Sequence, residues 1–186
     1  MTTAKKLMTA DDLLAMPDDG KRHELVRGEL IEMPPPGIMH SIVTGRIGVR
    51  MGHFIEERNL PFVYGPEAAA YIERGPDTVR AADFGVISLE RVNGPLPERG
   101  YVFGVVPDLV LETVSPDYRA AVADARAQMW LEAGARLVLT AYIERQVILA
   151  RRDDGTTQEY GVGDILTGAP ALTGFECPVS EIFATT

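Results

Sequence analysis

Cysteine and basic segments are scarce in this sequence of 186 residues, and no apolar run reaches the length of a membrane span. The lone Cys177 excludes an intrachain disulfide and a cluster of thiolates around a metal. The net charge is −9 and there is no lysine-rich tail, which argues against tight, salt-sensitive binding of nucleic acid over a broad surface. Neither a membrane-spanning helix nor a signal peptide is predicted, so we expect a cytoplasmic protein.

The composition is that of one folded domain. Hydrophobic residues make up 46% of the chain, and a chain of this length buries roughly two-thirds of its unfolded surface on folding. No internal repeat and no low-complexity linker divides the sequence. We therefore predict a single domain over residues 1–186.

The apolar pattern predicts an α/β domain with a mixed sheet. Thr9 and Asp12 have the spacing of a helix N-cap and predict a short first helix. The segment HELVRGELIEM predicts a hairpin that turns at Arg27 and Gly28. The remaining predicted elements are, in chain order, a helix at 40–58, strands at 61–72, 80–87 and 108–114, a helix at 118–133, and strands at 136–143, 145–152 and 156–161.

The connection through the helix at 118–133 predicts the pairing of two strands. A helical crossover is the usual link between parallel neighbours, so we expect the strand at 136–143 to run parallel to an earlier strand. A hairpin, a helix, three strands, a helix and further strands are typical of a layered α/β domain.

Three glycines interrupt the helix at 40–58. Gly45, Gly48 and Gly52 lie along one stripe of this helix. Each costs about 1 kcal/mol relative to alanine. We expect a neighbouring element to approach the helix closely there.

Two carboxylates interrupt apolar strands, Asp83 in AADFGVI and Glu112 in DLVLETVS. If these strands are neighbours, the pleat allows Asp83 and Glu112 to converge. Paired carboxylates in an apolar setting raise each other's pKa unless a cation keeps them ionised. A hard ion such as Mg²⁺ takes these oxygen ligands and can activate a water against a phosphodiester. The alternative is a structural role for both acids in a buried ion pair.

Arg126 interrupts the stripe of the second long helix that should pack on the sheet. A guanidinium does not lose its charge when buried, so it must reach water along its stem or find acids. We expect Glu112 and Asp83 to be those acids. The other members of this predicted stripe are Arg119, Val122, Met129, Trp130 and Ala133.

Five segments follow one another in a recognisable order: MTADDLLAMPDDGKRHELVRGELIEMPPPGIMH, AADFGVI, PDLVLETVSPDYR, WLEAGARLVL and GDILTGAPALTGFECPVSEIF. With them the chain resembles, over almost its whole length, the Uma-two family of the PD-(D/E)xK restriction-endonuclease-like superfamily. The resemblance implies a core of a helix, a three-stranded meander, a helix and a strand. It implies a DNA endonuclease that depends on Mg²⁺ or Mn²⁺. The implied metal ligands are Asp83 and Glu112, and the implied additional site residues are Glu24, Glu29 and His40.

Two positions depart from the family pattern. Arg126 stands where this branch has a lysine on the helix after the glutamate, and Ala82 stands where a proline usually precedes the strand aspartate. Arginine can neutralise a phosphate transition state, yet it cannot lose a proton near neutral pH to act as a base. The resemblance therefore leaves two hypotheses: an endonuclease with Asp83, Glu112 and Arg126 as catalytic residues, or an inactive homologue that serves as a binding or assembly module.

The sequence also bears on the partners of the protein and on a third possible activity. By analogy with the superfamily we expect a homodimer. The negative net charge still allows weak or transient contact with the phosphate backbone of DNA, which we expect as the mode of binding. A small-molecule hydrolase that uses the paired acids is a third hypothesis. It lacks the support of a nucleophile or a histidine pair.

Several of these residues also have a simpler interpretation. Glu24 and Glu29 flank a two-residue turn, where exposure to solvent is the default. His40 precedes a helix, and a histidine there is more often a cap or turn residue than a ligand. Asp108 follows a proline at the start of a strand, which predicts a turn residue. Cys177 has no histidine near it in sequence and is predicted to be a buried small hydrophobe.

Overall fold

A computed structural model describes residues 7–92, 94–115 and 120–184 of the chain. The helix predicted from residue 118 is described from residue 120 onwards, and its first two predicted residues lie outside the described ranges. The helices are α1 (Ala10–Leu14), α2 (Ile38–Glu57), α3 (Ala120–Glu132) and α4 (Val179–Phe183). The strands are β1 (Arg22–Val26), β2 (Glu29–Met33), β3 (Phe62–Glu73), β4 (Thr78–Ser88), β5 (Leu109–Val114), β6 (Leu137–Tyr142), β7 (Val147–Arg152), β8 (Thr157–Tyr160), β9 (Ile165–Thr167) and β10 (Glu176–Pro178).

The main sheet is mixed, as the sequence predicts. Its strand order is β2-β1-β4-β5-β6-β7-β8, and β3 also pairs with β4, while β9 and β10 form a separate small sheet. Strands β5 and β6, which α3 connects, pair in parallel from Leu109 opposite Leu137 to Val114 opposite Tyr142. The other described strand pairs are antiparallel. The predicted crossover and the α/β class are thus confirmed.

Strand β4 pairs with the long strand β3 along one edge, and along its other edge it pairs first with β1 and then with β5. Near its start, Val79 pairs with Leu25 of β1. Further along, the ladder with β5 extends from Phe84 opposite Leu111 to Val86 opposite Leu109. Residues 80–83 of β4 therefore lie in a gap between β1 and β5, where no strand continues the ladder on that side in the described part of the chain.

The two long helices pack through different sets of apolar residues. Helix α2 buries Val43, Ile47 and Met51 in a cluster that includes Leu109 and Leu111 of β5. Helix α3 buries Ala127 and Trp130 in a second cluster. The strand residues of the second cluster are Ala70, Ala82, Val110 and Val138. Because successive side chains of β5 alternate between the two clusters, the sheet lies between α2 and α3.

The glycines of α2 confirm the predicted close approach at two of three positions. A Cβ built on Gly48 would lie 2.7 Å from the ring of Phe84, and one on Gly52 would lie 2.6 Å from the ring of Tyr64. For Gly45 the prediction was wrong, because nothing lies within 4 Å of its Cβ position. The missing side chains at Gly48 and Gly52 therefore let the helix approach two aromatic rings of the sheet.

Local signals at the start of the chain also give the predicted structures. Thr9 caps α1, accepting a hydrogen bond from the backbone of Asp12 while the Asp12 side chain accepts one from Thr9. The hairpin of β1 and β2 turns at Arg27 and Gly28, whose φ angles are +49° and +78°. Positive φ at both turn residues is what a two-residue hairpin turn of the favoured hand requires.

The predictions for Val122 and Asp108 had different outcomes, and that for Val122 was wrong. Val122 is exposed and is not part of the packing face of α3, which is formed by Ala123 and its helical neighbours. Arg119, also assigned to that stripe, lies outside the described residues. Asp108 lies at a bend directly before β5, as predicted for a turn residue, and it is buried, where it accepts the amide of Ser88 at 2.7 Å and pairs with Nε of Arg91 at 2.7 Å. It therefore anchors the start of β5 to the end of β4.

Two further expectations concern membrane spans and the cysteine. No helix of the described residues has both the length and the apolar character needed to cross a membrane. Cys177 is buried, as predicted for a small hydrophobe.

Candidate functional site

Asp83 and Glu112 lie where β4 and β5 separate. The ladder between these strands ends with Phe84 opposite Leu111, so Asp83 and Glu112 are the next residues on each side. Both carboxylates line the same cavity. The structure thus brings together the two acids that strand alternation pairs in the sequence.

Beyond the end of the ladder with β4, the side chain of Asp83 accepts a hydrogen bond from the backbone of β5. Its Oδ2 accepts the backbone N–H of Thr113 at 2.7 Å. The same oxygen lies 3.0 Å from Nε2 of His40, at the start of α2. Because an amide and an imidazole both approach Oδ2, the carboxylate is fixed in orientation. His40 is therefore part of the site and not simply a turn residue.

Glu112, a residue of β5, has its side chain buried against α3. Its Oε1 lies 2.8 Å from Nε of Arg126 and accepts the indole N–H of Trp130 at 2.6 Å. Burial and the neighbouring charge of Asp83 raise the pKa of Glu112 to about 7, against the opposing effects of Arg126 and Trp130. Near neutral pH this carboxyl is thus poised between its two protonation states.

Arg126 binds Glu112 and Glu24, and not the predicted pair of Glu112 and Asp83. Its Nη1 donates to Oε2 of Glu24 at 3.0 Å and its Nη2 to Oε1 at 2.9 Å, a bidentate contact. Burial alone would lower the pKa of Arg126, yet the charges and hydrogen bonds of Glu112 and Glu24 raise it above its usual range. The guanidinium is therefore charged and held between two acids.

Glu24 is a buried residue of the site. The expectation that a residue near a hairpin turn is exposed was therefore wrong for Glu24. Only 3% of it is exposed. Burial would raise the pKa of Glu24, but the hydrogen bonds and charge of Arg126, the charge of Arg80 and the amide of Ala81 together lower it. Glu24 thus carries its negative charge in the interior.

The contact between Glu24 and Arg126 lies in the gap on the edge of β4. The backbone N–H of Ala81 donates to Oε1 of Glu24 at 3.0 Å, and the carbonyl of Ala81 accepts from Nη2 of Arg126 at 2.5 Å. Two charged side chains therefore provide the hydrogen bonds that a strand would otherwise give, which explains why the pair is buried at this place.

Glu29 is not part of this arrangement. It lies opposite Val26 at the end of the hairpin, is exposed, and does not line the cavity. The structure therefore brings five of the six candidates together, namely Glu24, His40, Asp83, Glu112 and Arg126. Trp130 belongs to the predicted helical stripe, and its contact with Glu112 has no signal in the sequence.

The cavity at this site has a volume of about 800 Å³. Asp83, Glu112 and Arg126 line it together with His40, and its remaining lining is largely apolar. Within the described ranges, no group of three or more histidine, cysteine or acidic side chains is arranged to hold a metal ion. The metal-binding capacity of the site therefore rests on two carboxylates.

Comparisons with known proteins agree on the kind of fold. The family model for Uma2, described as "Putative restriction endonuclease", matches residues 10–180. One solved structure that superposes on the chain is "a putative nuclease belonging to DUF820 from Anabaena variabilis ATCC 29413", with a TM-score of 0.77 and 18% sequence identity over 95% of this chain and 97% of that chain. No curated protein matches the sequence. At this identity the structural likeness establishes a shared fold.

Proposed function

The chain belongs to the Uma2 family, and we propose that it is a metal-dependent endonuclease that hydrolyses phosphodiester bonds of DNA. The observation that carries the proposal is the position of Asp83 and Glu112, side by side at the end of a strand ladder and facing one cavity. Arg126 neutralises Glu112 from one side, and a second cation in the cavity would offset the remaining repulsion between the two carboxylates.

The donor set fits Mg²⁺ or Mn²⁺. The described contacts of Asp83 use Oδ2 and those of Glu112 use Oε1, so one oxygen of each carboxylate takes no part in the contacts of the described residues. Mg²⁺ commonly binds through one or two carboxylates and keeps several waters. Asp83 and Glu112 would hold such an ion, which when bound supplies a Lewis acid and a water of lowered pKa.

His40 and Arg126 have distinct roles in this proposal. His40 contacts Oδ2 of Asp83 and thereby orients that carboxylate. Arg126 is a fixed positive charge beside Glu112, and it offsets the negative charge that develops on the phosphate in the transition state. Because arginine keeps its proton near neutral pH, Arg126 does not act as a general base.

A second candidate function is favoured by the contacts of Arg126. All three of its guanidinium nitrogens contact Glu112, Glu24 or the carbonyl of Ala81. If those contacts are purely structural, the chain is an inactive homologue that serves as a binding or assembly module. That function requires no bound metal at millimolar Mg²⁺.

The proposal also includes a location and an assembly state. We place the protein in the cytoplasm as a homodimer, since an acidic monomer with a net charge of −9 has little surface for spanning a duplex. Size-exclusion chromatography coupled to light scattering tests the dimer. The protein concentration is varied from 10-fold below to 10-fold above the concentration of the cleavage assay. A single species with the mass of one chain at all concentrations contradicts it.

Cleavage of supercoiled plasmid DNA tests the proposed activity. We expect nicking and linearisation with Mg²⁺ or Mn²⁺, and a loss of at least about 100-fold in Asp83→Asn and Glu112→Gln, because each removes a negative metal ligand. Glu29→Gln is the matched control, since it changes an exposed acid outside the cavity.

Two outcomes separate the candidates. Equal cleavage by wild type and both site variants would assign the activity to a contaminant or another site. No cleavage by any of the proteins, together with no Mn²⁺ binding in a calorimetric titration, would favour the inactive homologue.

A further inference from the structure

The acids of the site are recessed below an exposed rim. The side chains of Asp83 and Glu112 are only 12% and 10% exposed, whereas Ile38, which lines the same cavity, is 80% exposed. A phosphodiester must therefore enter the cavity to reach the carboxylates. Duplex DNA is stiff over about 150 base pairs and holds its phosphates on the outside of a regular helix, so bringing one into a recess requires deformation.

The rim of the cavity is apolar. It includes Met33, Ile38, Met39 and Ile143. Between β2 and α2 it is formed by three consecutive prolines, residues 34–36, all of them exposed. Proteins that bind unpaired strands, or a base turned out of a duplex, offer apolar and aromatic surfaces to the faces of the bases. A paired duplex presents no such faces to a rim.

The cavity offers few cations to a duplex backbone. Of the described residues that line it, Arg22 and Arg126 are the two cations. Arg126 is bound to two carboxylates, and Arg22 has Nε 3.2 Å from Oε1 of Glu67. Affinity for duplex DNA depends on phosphate contacts from lysine and arginine. Single strands also use phosphate contacts, but part of their affinity comes from contacts with the bases, so this lining disfavours a duplex more than a single strand.

From this combination we infer that the site acts on an unpaired DNA strand, with a base against the apolar rim and its phosphate at Asp83 and Glu112. A volume of about 800 Å³ is near the upper end for a small-ligand site. The inference rests on the proposed endonuclease function and specifies its substrate. Duplex DNA is then cut only where its strands are separated, as in the underwound segments of a supercoiled plasmid.

Three labelled oligonucleotides of one sequence test the substrate class. These are a single strand, the blunt duplex, and the duplex with a central unpaired bubble. With Mn²⁺ we expect cleavage of the single strand, cleavage of the bubble within its unpaired segment, and cleavage of the duplex at least 10-fold slower. Equal rates on the single strand and the duplex would overturn the inference and leave the endonuclease function standing.

Binding provides a readout that does not depend on cleavage. Fluorescence anisotropy with Asp83→Asn, which is expected to bind without cutting, compares the same single strand and duplex. At least 10-fold tighter binding of the single strand supports the inference even if no protein cuts any substrate, in which case only the proposed activity fails. Equal affinity for the two forms, or no binding of either, overturns it.

A rim variant tests where the base lies. Ile38→Asn should weaken binding of the single strand roughly five-fold, because it removes apolar surface that a bound base would cover. Ile38→Trp should strengthen it and leave duplex binding unchanged. Val49→Asn is the matched control, because Val49 is 71% exposed on the same helix and lies outside the cavity. Equal effects of Ile38→Asn and Val49→Asn would overturn the assignment of the rim.

Discussion

Nε of Arg126 lies 2.8 Å from Oε1 of Glu112, while the two terminal nitrogens of the same guanidinium bind Glu24. One cation therefore connects the hairpin, helix α3 and strand β5. Each contact is buried, so the removal of the cation affects both acids at once. This arrangement leads to separate predictions for stability and for activity.

Loss of the guanidinium should cost a large share of the folding free energy. Arg126→Met keeps most of the side-chain volume but leaves two buried acids without their cation, and we expect unfolding free energy to fall by about 3–5 kcal/mol. Arg145→Met is the control, because Arg145 forms an exposed pair with Glu159 and its loss should cost under about 1 kcal/mol. Urea denaturation measures both. Similar losses in the two variants would mean that the buried network contributes little.

The lysine variant separates the two candidate functions. Arg126→Lys keeps a positive charge, but its single nitrogen cannot reproduce the separate contacts of the three guanidinium nitrogens, so we expect it to be less stable by about 2 kcal/mol. If Arg126 acts through its charge, plasmid cleavage in this variant stays within about 10-fold of wild type while Arg126→Met loses more. A wild type without activity and a lysine variant that cleaves would identify a nuclease site inactivated by the arginine.

Stability should depend on pH through Glu112. Its pKa rises from 4.5 to about 7 on folding, so between these values the folded chain binds a proton that the unfolded chain releases. The stabilisation from this group is complete below pH 4.5 and is lost as pH rises through 7. Relative to Glu112→Gln, which does not titrate, wild type should lose stability between pH 5 and pH 8. Urea denaturation at these pH values measures the difference, and a constant difference would contradict the raised pKa.

The glycines of α2 offer a matched pair of substitutions with opposite signs. Gly48→Ala places a methyl group against the ring of Phe84 and should destabilise by about 1–3 kcal/mol. Gly45→Ala fills open space on the same helix and should stabilise by about 0.5–1 kcal/mol, because alanine is the better helix former. Thermal denaturation followed by circular dichroism measures both. Midpoints that shift in the same direction would contradict the close packing of α2 on Phe84.

The proximity of Asp83 and Glu112 could be predicted from the sequence because it needs only the alternation of strand side chains and the pairing of two strands. The contact of Arg126 with Glu24 could not be predicted in this way, because the two residues are 102 positions apart. They meet at an edge of β4 that pairs with β1 at one end and with β5 at the other. The hairpin turn and the first helix are local, so their signals lie within a few residues. Which strand a hairpin joins depends on tertiary packing, and so does the burial of Glu24.

Two backbone amides donate hydrogen bonds to acids of the site. The N–H of Ala81 donates to Glu24 and the N–H of Thr113 donates to Asp83. The resonances of these two amides should therefore report the ionisation and occupancy of the site directly. A titration of isotope-labelled protein can follow each carboxylate by its own nuclear magnetic resonance signal, with no substrate and no catalytic turnover.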